Sequence, residues 1–478
     1  MALQIKGILI LLFFQFVEIF CWKAFPSVSS PTTGGKRNPP TGRHPLLLVS
    51  FDGFRWDYLS HFHLPTFAKL QQQWAHVEKL QPAFISKTFP NHNSIMTGLF
   101  VESHGIVANS MYDIKQNTYF TPGRHNGTGW WDDAEPLWLT NQRSGGVSGS
   151  AMWPGTGVRV RGAEIACGMR YDRSVSFEDR ARHCVACITD KKANFVTLYW
   201  EEPDRSGHRY GPRNSTVMQK VLSKVDDHLA FLLSHLGGEE LLGHINVIVT
   251  SDHGMAGVES VIELDSCLDP QTYLFVNNNP IAGVWPRHDL QEVYNLLTKC
   301  SKYLRVYKKE EIPSEYHYKD HRRIPPILLV AEQGWGIVQN ATLNKSPVGE
   351  HGYNNSLSAM QTILFASGPD LQTGIKIPTM RNIDIYPLLC HLLGIHPQPN
   401  NGSLMYSRFL LASEKIAPGS SHKTLTAVAI AGIVILVIVC VMYALCAIHN
   451  KSSPYPHNST YYYSPYYDEC SSEEDLNN

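Results

Sequence analysis

The sequence predicts an α/β domain with a largely parallel central sheet, and two observations support this fold class. Short apolar runs rich in β-branched and aromatic residues alternate with segments of helical periodicity. Several of these runs end at an acidic residue or a histidine, as strands do where they border the crevice of an open α/β sheet. The chain has 478 residues, of which 43% are hydrophobic and 17% charged, so it can bury a core of this kind. Its 41 basic and 42 acidic side chains leave no basic excess for binding a nucleic-acid polymer.

The predicted strands and one long helix follow from these patterns. Between NFVTLYW and INVIVTS lies a segment in which Asn214 can cap a helix, apolar residues recur near the helical period, and Gly237 and Gly238 end it. The predicted strands are PLLLVSF, NFVTLYW, INVIVTS, TYLFV, ILLVA and TILFA.

Two apolar segments predict a type I membrane protein whose folded domain lies outside the cell. The N-terminal apolar stretch is typical of a secretory signal cleaved near Ala24, and the alternative is an uncleaved anchor, because Glu18 is unusual there. Leu425–Ile448 carries no charge and is long enough to cross a bilayer, and the alternative is a buried helix. A shed or secreted form is a further expectation. The predicted organisation is a signal peptide at 1–24, a flexible lead-in at 25–43, an ectodomain at 44–412, a stalk at 413–424, a membrane span at 425–448 and a cytoplasmic tail at 449–478.

The tail and the sequons agree with this topology. The tail is aromatic and acidic and too small to fold alone, so it is either a solvated segment or a docking or phosphorylation site for a partner that the sequence does not identify. Five sequons predict N-glycosylation between the signal and the span, at Asn126, Asn214, Asn340, Asn354 and Asn401.

Six cysteines lie between the predicted signal and the predicted span. An oxidising compartment permits disulfides among them, and the 15 possible pairings stay open on spacing alone. The CVAC segment at 184–187 favours a structural role over a metal or redox motif, because no second such pair is present. The six are Cys167, Cys184, Cys187, Cys267, Cys300 and Cys390.

Acidic and histidine side chains follow three of the predicted strands. The carboxyl ends of parallel strands meet at one edge of a sheet, so these residues can converge in one crevice. A fourth segment, GEHGYNN, adds a histidine between glycines. Carboxylate and imidazole together suit zinc, and six such ligands exceed the four of one tetrahedral ion, so two ions are expected. The six residues are Asp52, Asp204, His208, Asp252, His253 and His351.

The segment SKTFPNHNSIMTG predicts a helix that starts near Thr88 and ends near Gly98. Thr88 would then lie at the positive end of the helix, where an anion is favoured. The alternative is that Thr88 only caps the helix. A coordinated cation lowers the pKa of a bound hydroxyl, so a metal-bound threonine can act as a nucleophile.

Six segments in order resemble the motifs of the nucleotide pyrophosphatase/phosphodiesterase family, within the alkaline phosphatase superfamily: SFDGFR, SKTFPNH, HGIVANSMYD, YWEEPDRSGHRYGP, TSDHGM and GEHGYNN. The resemblance extends from about residue 45 to residue 410 and is strongest to the short type I membrane members. It implies an alkaline-phosphatase-like core with a bimetal site at the carboxyl ends of the strands. Within this framework we also predict a disulfide between Cys267 and Cys300.

The resemblance assigns ligands to two Zn²⁺ ions. It implies that Asp204, His208 and His351 hold one ion, with Asp204 and His208 in a turn that glycine keeps open. The other ion would be held by Asp52, Asp252, His253 and the oxygen of Thr88.

The resemblance also implies how a small nucleotide substrate is cleaved. Thr88 would attack phosphorus and form a phosphothreonine, from which zinc-activated water releases a nucleoside monophosphate. Asn109 would donate a hydrogen bond to the phosphate, and Phe89 and Tyr171 would stack on the base. Asn93 departs from the pattern, because an aromatic residue is expected at its position.

The sequence leaves three candidate functions. The favoured one is an ectoenzyme that hydrolyses phosphodiester or pyrophosphate bonds of dinucleotides, NAD-like molecules or nucleotide esters. The second is a phosphodiesterase of choline lysophospholipids with the same metal core. The third is a catalytically weak surface receptor or adhesion protein whose pocket is blocked.

Overall fold

The computed structural model describes residues 43–123, 129–342 and 347–412, together with Met442 and Leu445. The predicted signal peptide, stalk and tail lie outside these residues, as do Asn126, the lead-in before residue 43 and the predicted membrane span apart from Met442 and Leu445. Among the described residues, none belongs to a helix with the length and apolar character that a membrane crossing requires. The elements below belong to a compact unit that ends at Ala412.

The strands and helices alternate along the chain. The strands are β1 Leu46–Phe51, β2 Ala75–Gln81, β3 Met111–Asp113, β4 Thr118–Phe120, β5 Ser148–Ala151, β6 Cys167–Met169, β7 Phe195–Trp200, β8 Asn246–Thr250, β9 Ala256–Gly257, β10 Ser260–Glu263, β11 Tyr273–Asn278, β12 Ile281–Pro286, β13 Leu304–Lys308, β14 Ile327–Ala331, β15 Trp335–Val338, β16 Gly349–Glu350, β17 Thr362–Ser367 and β18 Lys376–Arg381. The α-helices are α1 Tyr58–His61, α2 Pro65–Gln73, α3 Thr88–Thr97, α4 Val101–His104, α5 Leu137–Arg143, α6 Phe177–Thr189, α7 Asp204–Tyr210, α8 Ser215–Gly238, α9 Leu290–Leu297, α10 Ile385–Leu393 and α11 Leu404–Ser407.

The central sheet has the strand order β18-β2-β17-β8-β1-β7-β5-β6. Strand β1 pairs in parallel with β7 and β8, and β5 continues the parallel arrangement to β6. Strand β17 runs antiparallel to both of its neighbours. The prediction of a largely parallel sheet is therefore confirmed, with β17 as the reversed strand.

Both faces of this sheet are covered, which explains why its strands are continuous apolar runs. Along β1, Leu46 and Leu48 belong to one hydrophobic cluster, whereas Leu47 and Val49 belong to the cluster on the opposite face. Helix α8 packs on the second face through residues such as Leu229.

Helix α8 has the ends that its sequence predicts. The side chain of Asn214 accepts a hydrogen bond from the backbone N–H of Val217, which caps the first turn, and the helix ends at Gly238.

Two of the predicted strands belong to a separate sheet. TYLFV and ILLVA form β11 and β14 of a four-stranded sheet with the order β11-β12-β14-β13, which is antiparallel throughout. This sheet has its own hydrophobic cluster, which includes Val284 and Leu329. A short apolar run indicates that a strand is buried, but it does not indicate which strands it pairs with. The sequence alone therefore could not assign these two strands to a sheet.

Two disulfides occur among the described residues. Cys267 is bonded to Cys300, as predicted, and Cys167 is bonded to Cys187. Cys184 and Cys390 are buried free thiols. The two cysteines of CVAC therefore have different roles, and neither bonds to the other.

Candidate metal centre and substrate cavity

The predicted ligands are brought together by three adjacent strands of the central sheet. Strands β7, β1 and β8 lie side by side, and each is followed by predicted ligands at its carboxyl end. Asp52 follows β1 directly, Asp204 comes four residues after the end of β7, and Asp252 and His253 come shortly after β8. The backbone N–H of Asp204 donates to the carbonyl of Asp52 at 2.9 Å, which ties two of these loops together.

Asp204 and His208 lie on helix α7 and not in a glycine turn, which corrects the prediction for this segment. Their spacing of four residues places both side chains on one face of the helix. The close approach of this helix needs Gly53, which has φ +70° and where an added Cβ would lie 2.8 Å from the Cα of Asp204.

The first cluster contains Asp52, Asp252 and His253, all buried. The Nε2 atom of His253 lies 3.0 Å from Asp252 Oδ2 and 3.3 Å from Asp52 Oδ1. The hydroxyl of Thr88 lies 3.2 Å from the same nitrogen. The other three predicted ligands of this ion therefore lie within 3.3 Å of His253 Nε2.

The second cluster contains Asp204, His208 and His351. The Nε2 atoms of both histidines lie 3.4 Å from Asp204 Oδ1. The rings of His351 and His253 stack with centroids 3.5 Å apart, so the two clusters are neighbours.

Backbone carbonyls fix the tautomer of each histidine. The Nδ1 atoms of His208, His253 and His351 lie 2.8–2.9 Å from the carbonyl oxygens of Gly349, Gly254 and Ser86, respectively. A carbonyl oxygen only accepts, so each Nδ1 carries a proton, and in the neutral imidazole that binds a metal each Nε2 presents a lone pair to the carboxylates.

The carboxylate oxygens that face these nitrogens are Asp52 Oδ1, Asp204 Oδ1 and Asp252 Oδ2, and each is buried without a hydrogen-bond partner. Lone pairs on nitrogen and oxygen repel one another at these distances unless a cation lies between them. The residues therefore fit a metal site, and the carbonyl-bonded histidines are typical of one.

Burial disfavours the charged forms of Asp52 and His351 when no cation is present. Desolvation, reinforced by the neighbouring charge of Asp252, raises the pKa of Asp52 well above its ordinary value. Desolvation, together with the charge of His253, lowers the pKa of His351 well below its ordinary value. His351 is therefore neutral, which is the form that binds a metal.

Thr88 is the first residue of helix α3, and the preceding Lys87 occupies the cap position. The alternative that Thr88 only caps this helix is therefore wrong, because its hydroxyl faces His253. Helix α3 ends where predicted, at a left-handed Gly98. The side-chain oxygen of Asn109 accepts a hydrogen bond from the backbone N–H of Phe89, and within the described residues its amide nitrogen donates to no acceptor.

A cavity of about 790 Å³ opens beside this centre. Its wall includes Asp52, Thr88 and Asp204 of the centre, so the cavity reaches the two clusters. Its size suits a small-molecule ligand. The predicted substrate residues Phe89, Asn109 and Tyr171 also line it, whereas Asn93 is buried and does not. An open cavity at the centre argues against the receptor hypothesis, which required a blocked pocket.

Residues that the sequence reasoning did not single out support the centre. The hydroxyl of Tyr199 donates to Asp52 Oδ2 at 2.5 Å. Lys87 and Glu350, which precede Thr88 and His351, form a buried ion pair with a separation of 3.0 Å. Trp131 and Trp153 add aromatic surface to the cavity wall. Among these residues, Lys87 and Glu350 directly precede predicted ligands in the sequence, but nothing in the sequence indicates that they pair with each other.

The predicted glycosylation sites have different environments. Asn214 and Asn401 are exposed, and Asn340 and Asn354 are half-buried. Asn340 donates from its amide nitrogen to Asp265 at 3.0 Å.

Comparison with known proteins adds independent evidence. Residues 46–354 match the family described as type I phosphodiesterase/nucleotide pyrophosphatase. The chain is 45% identical to the bis(5'-adenosyl)-triphosphatase enpp4 of Xenopus laevis, over 77% of this chain and 82% of that protein. It is 44% identical to human ectonucleotide pyrophosphatase/phosphodiesterase family member 5, over 77% of this chain and 78% of that protein.

Solved structures of similar proteins match the fold. Human ectonucleotide pyrophosphatase/phosphodiesterase 5 is 43% identical and superposes with a TM-score of 0.75, over 77% of this chain and all of that one. An inactive variant of the murine protein, solved in complex with AMP, is 42% identical, with a TM-score of 0.76 and the same coverage.

Proposed function

The chain belongs to the type I phosphodiesterase/nucleotide pyrophosphatase family, and we propose that it is a zinc-dependent ectoenzyme with a threonine nucleophile. It is a hydrolase of phosphodiester and pyrophosphate bonds, and the proposal concerns its metal, its chemistry and its location. The observation that carries the proposal is the meeting of Thr88 with two Asp/His clusters at the end of one cavity.

Two Zn²⁺ ions are the proposed cofactors. Asp52, Asp252, His253 and Thr88 would hold one, and the cluster around Asp204 would hold the other. The mixture of carboxylate and imidazole favours zinc over magnesium or calcium, which prefer oxygen ligands. Bound ions of this kind lower the pKa of a hydroxyl or water and offset the charge of a phosphate.

The protein residues then have defined roles. Thr88 Oγ1 attacks the phosphorus of the substrate, an oxygen–phosphorus bond forms, and the bond to the leaving group breaks. Water hydrolyses the phosphothreonine, which releases a nucleoside monophosphate and restores the hydroxyl. Asn109 is held by its bond to the Phe89 backbone, so its free amide nitrogen can donate to a phosphate oxygen.

Phe89 and Tyr171 are proposed to bind the nucleobase. Both line the cavity beside Thr88, and Tyr171 is half exposed there, so its ring is accessible to a ligand. The hydroxyl of Tyr171 accepts a hydrogen bond from Arg173 at 2.9 Å, which orients the ring. A nucleotide substrate agrees with the AMP complex of the murine relative and with the triphosphatase activity named for the amphibian one.

The proposed location is the cell surface, with one membrane span at 425–448 and the catalytic domain outside. This proposal rests on the sequence: the N-terminal apolar stretch, the uncharged run of Leu425–Ile448 and the five sequons. Accessibility of the catalytic domain to antibody on intact cells tests it. Labelling only after permeabilisation would contradict it.

A substrate panel on the purified full chain tests the chemistry. We expect turnover of a nitrophenyl nucleotide ester and of dinucleotides, loss of turnover with a chelator, and recovery with zinc. A glycerophosphocholine ester is the comparison substrate. Turnover of this choline ester in preference to nucleotides would contradict the proposal.

A further inference from the structure

Three arginines line the substrate cavity, and the proposed function gives a role only to Arg173, which orients Tyr171. They are Arg170, Arg173 and Arg205, and all three are exposed. Arg170 and Arg173 flank Tyr171, whereas Arg205 directly follows Asp204 on helix α7. The cavity wall therefore carries positive charge from two segments of the chain.

Within the part of the chain that the structure describes, no ion pair neutralises the charge of these arginines. Among the described residues none of the three forms an ion pair within 4 Å, and the side chains of Arg170 and Arg205 donate no hydrogen bond. Apart from the proposed metal ligands, the acidic residue of the wall is Glu201. Its carboxylate accepts hydrogen bonds from two guanidinium nitrogens of Arg180 at 3.0 and 3.1 Å. The wall thus has an excess of free positive charge.

Arg205 lines the same cavity as the proposed nucleophile Thr88. Thr88 belongs to the cluster around His253, and an in-line displacement places the leaving oxygen on the side of phosphorus away from Thr88. The cluster of Asp204 and His208 is the neighbour of the Thr88 cluster, and Arg205 follows Asp204 on the same helix. Arg205 therefore lines the cavity that also holds Thr88, on the helix that carries two ligands of the second cluster.

We propose that Arg205 is a specificity-determining residue that binds phosphate groups of the leaving group. The chain then prefers substrates in which that group is itself phosphorylated, such as a dinucleoside triphosphate. In the reaction Thr88 Oγ1 bonds to the first phosphorus, the bond from this phosphorus to the bridging oxygen breaks, and a nucleoside diphosphate leaves. This inference rests on the proposed function, since it uses the same nucleophile and cavity.

The positive charge of the cavity wall also disfavours choline lysophospholipids, the competing substrate class. A trimethylammonium group would face Arg170, Arg173 and Arg205 without a free carboxylate to offset them. A polyanionic leaving group meets complementary charge, and a guanidinium can bind phosphate through two parallel hydrogen bonds.

The test compares two substrates in the full chain and in Arg205→Gln. One substrate is a dinucleoside triphosphate, whose leaving group is a diphosphate, and the other is a nitrophenyl nucleotide ester, whose leaving group has no phosphate. We expect the ratio of kcat/KM for the triphosphate to kcat/KM for the ester to fall by about tenfold, as the loss of a charge-assisted hydrogen bond at an exposed site requires. The ratio in the wild type should also fall as salt is raised, because these charges are exposed.

Arg209→Gln is the matched control, because Arg209 lies on the same helix and outside the cavity wall. It should leave the ratio unchanged. An unchanged ratio in Arg205→Gln, with the protein folded by thermal unfolding, would overturn the inference and leave the proposed function intact. Failure of the wild type to cleave either substrate would overturn the proposed function itself.

Discussion

The buried ion pair between Lys87 and Glu350 gives the most direct test of how the centre is held. The two side chains are 6% and 11% exposed, and the ammonium also donates to the carbonyl of Asn279 at 2.5 Å. Glu350 also accepts the backbone N–H of His351. The pair therefore joins the start of the Thr88 helix to the loop that carries His351. Lys87→Met removes the cation and leaves the carboxylate of Glu350 buried and unpaired.

The expected loss follows from this burial. Removing one partner of a buried pair costs about 3–5 kcal/mol, because the remaining charge is uncompensated. A folded unit of about 370 residues has an unfolding entropy of about 0.8 kcal/mol/K, so Tm should fall by about 4–6 °C. The double variant Lys87→Met/Glu350→Leu should recover much of this loss, because it removes both charges.

Thermal unfolding of the full chain, followed by tryptophan fluorescence, measures the change. Lys376→Met is the matched control, because Lys376 pairs with Glu78 at 2.9 Å while its side chain is 55% exposed. An exposed pair contributes at most about 1 kcal/mol, so its Tm should fall by about 1 °C or less. A Lys87→Met shift as small as that of the control would refute the reasoning.

Three further predictions concern the nucleophile, a supporting tyrosine and a buried histidine. Thr88→Ala should abolish turnover of a nitrophenyl nucleotide ester at unchanged Tm, and retained turnover would exclude Thr88 as the nucleophile. Tyr199→Phe removes the hydrogen bond to Asp52, so zinc affinity measured by chelator competition should fall about 10- to 100-fold. Tyr112→Phe is the control and should have no effect, because the hydroxyl of Tyr112 donates to Asn117 and not to a predicted ligand. Burial lowers the pKa of His104 to about 3, whereas the unfolded chain protonates this group near the ordinary value of 6.5. Stability should therefore be lost as pH falls below 6.5, with about 2 kcal/mol of the free energy of unfolding lost between pH 7 and pH 5 through this group. Denaturant unfolding at both pH values should show that His104→Gln loses less of its free energy of unfolding between pH 7 and pH 5 than the wild type does. An equal loss in the two proteins would contradict the role given to His104.

The sequence predicts those ligands of the centre that directly follow a recognisable apolar strand. Strand β1 is buried on both faces, so it appears as a continuous apolar run, and the residue that follows it is Asp52. The same reasoning places Asp252 and His253 after β8. Parallel strands end at a common edge, so the convergence of these ligands follows from the fold class.

The parts that the sequence did not predict depend on contacts between distant residues. Lys87 and Glu350 are 263 residues apart, and nothing local to either marks it as half of a buried pair. Helix α7 begins at Asp204 although Gly207 lies within it, and glycine disfavours helix interiors. An added Cβ on Gly207 would lie 2.9 Å from the side chain of Met255, so tertiary packing explains the glycine and the helix together.

The metal content of the purified full chain tests the central claim most directly. Inductively coupled plasma mass spectrometry should find two zinc ions per chain in the wild type and fewer in His351→Ala, which removes a ligand from one cluster. Two ions retained in His351→Ala would contradict its role as a ligand. A wild-type chain that binds no divalent metal, even after dialysis against zinc, would contradict the two-metal centre.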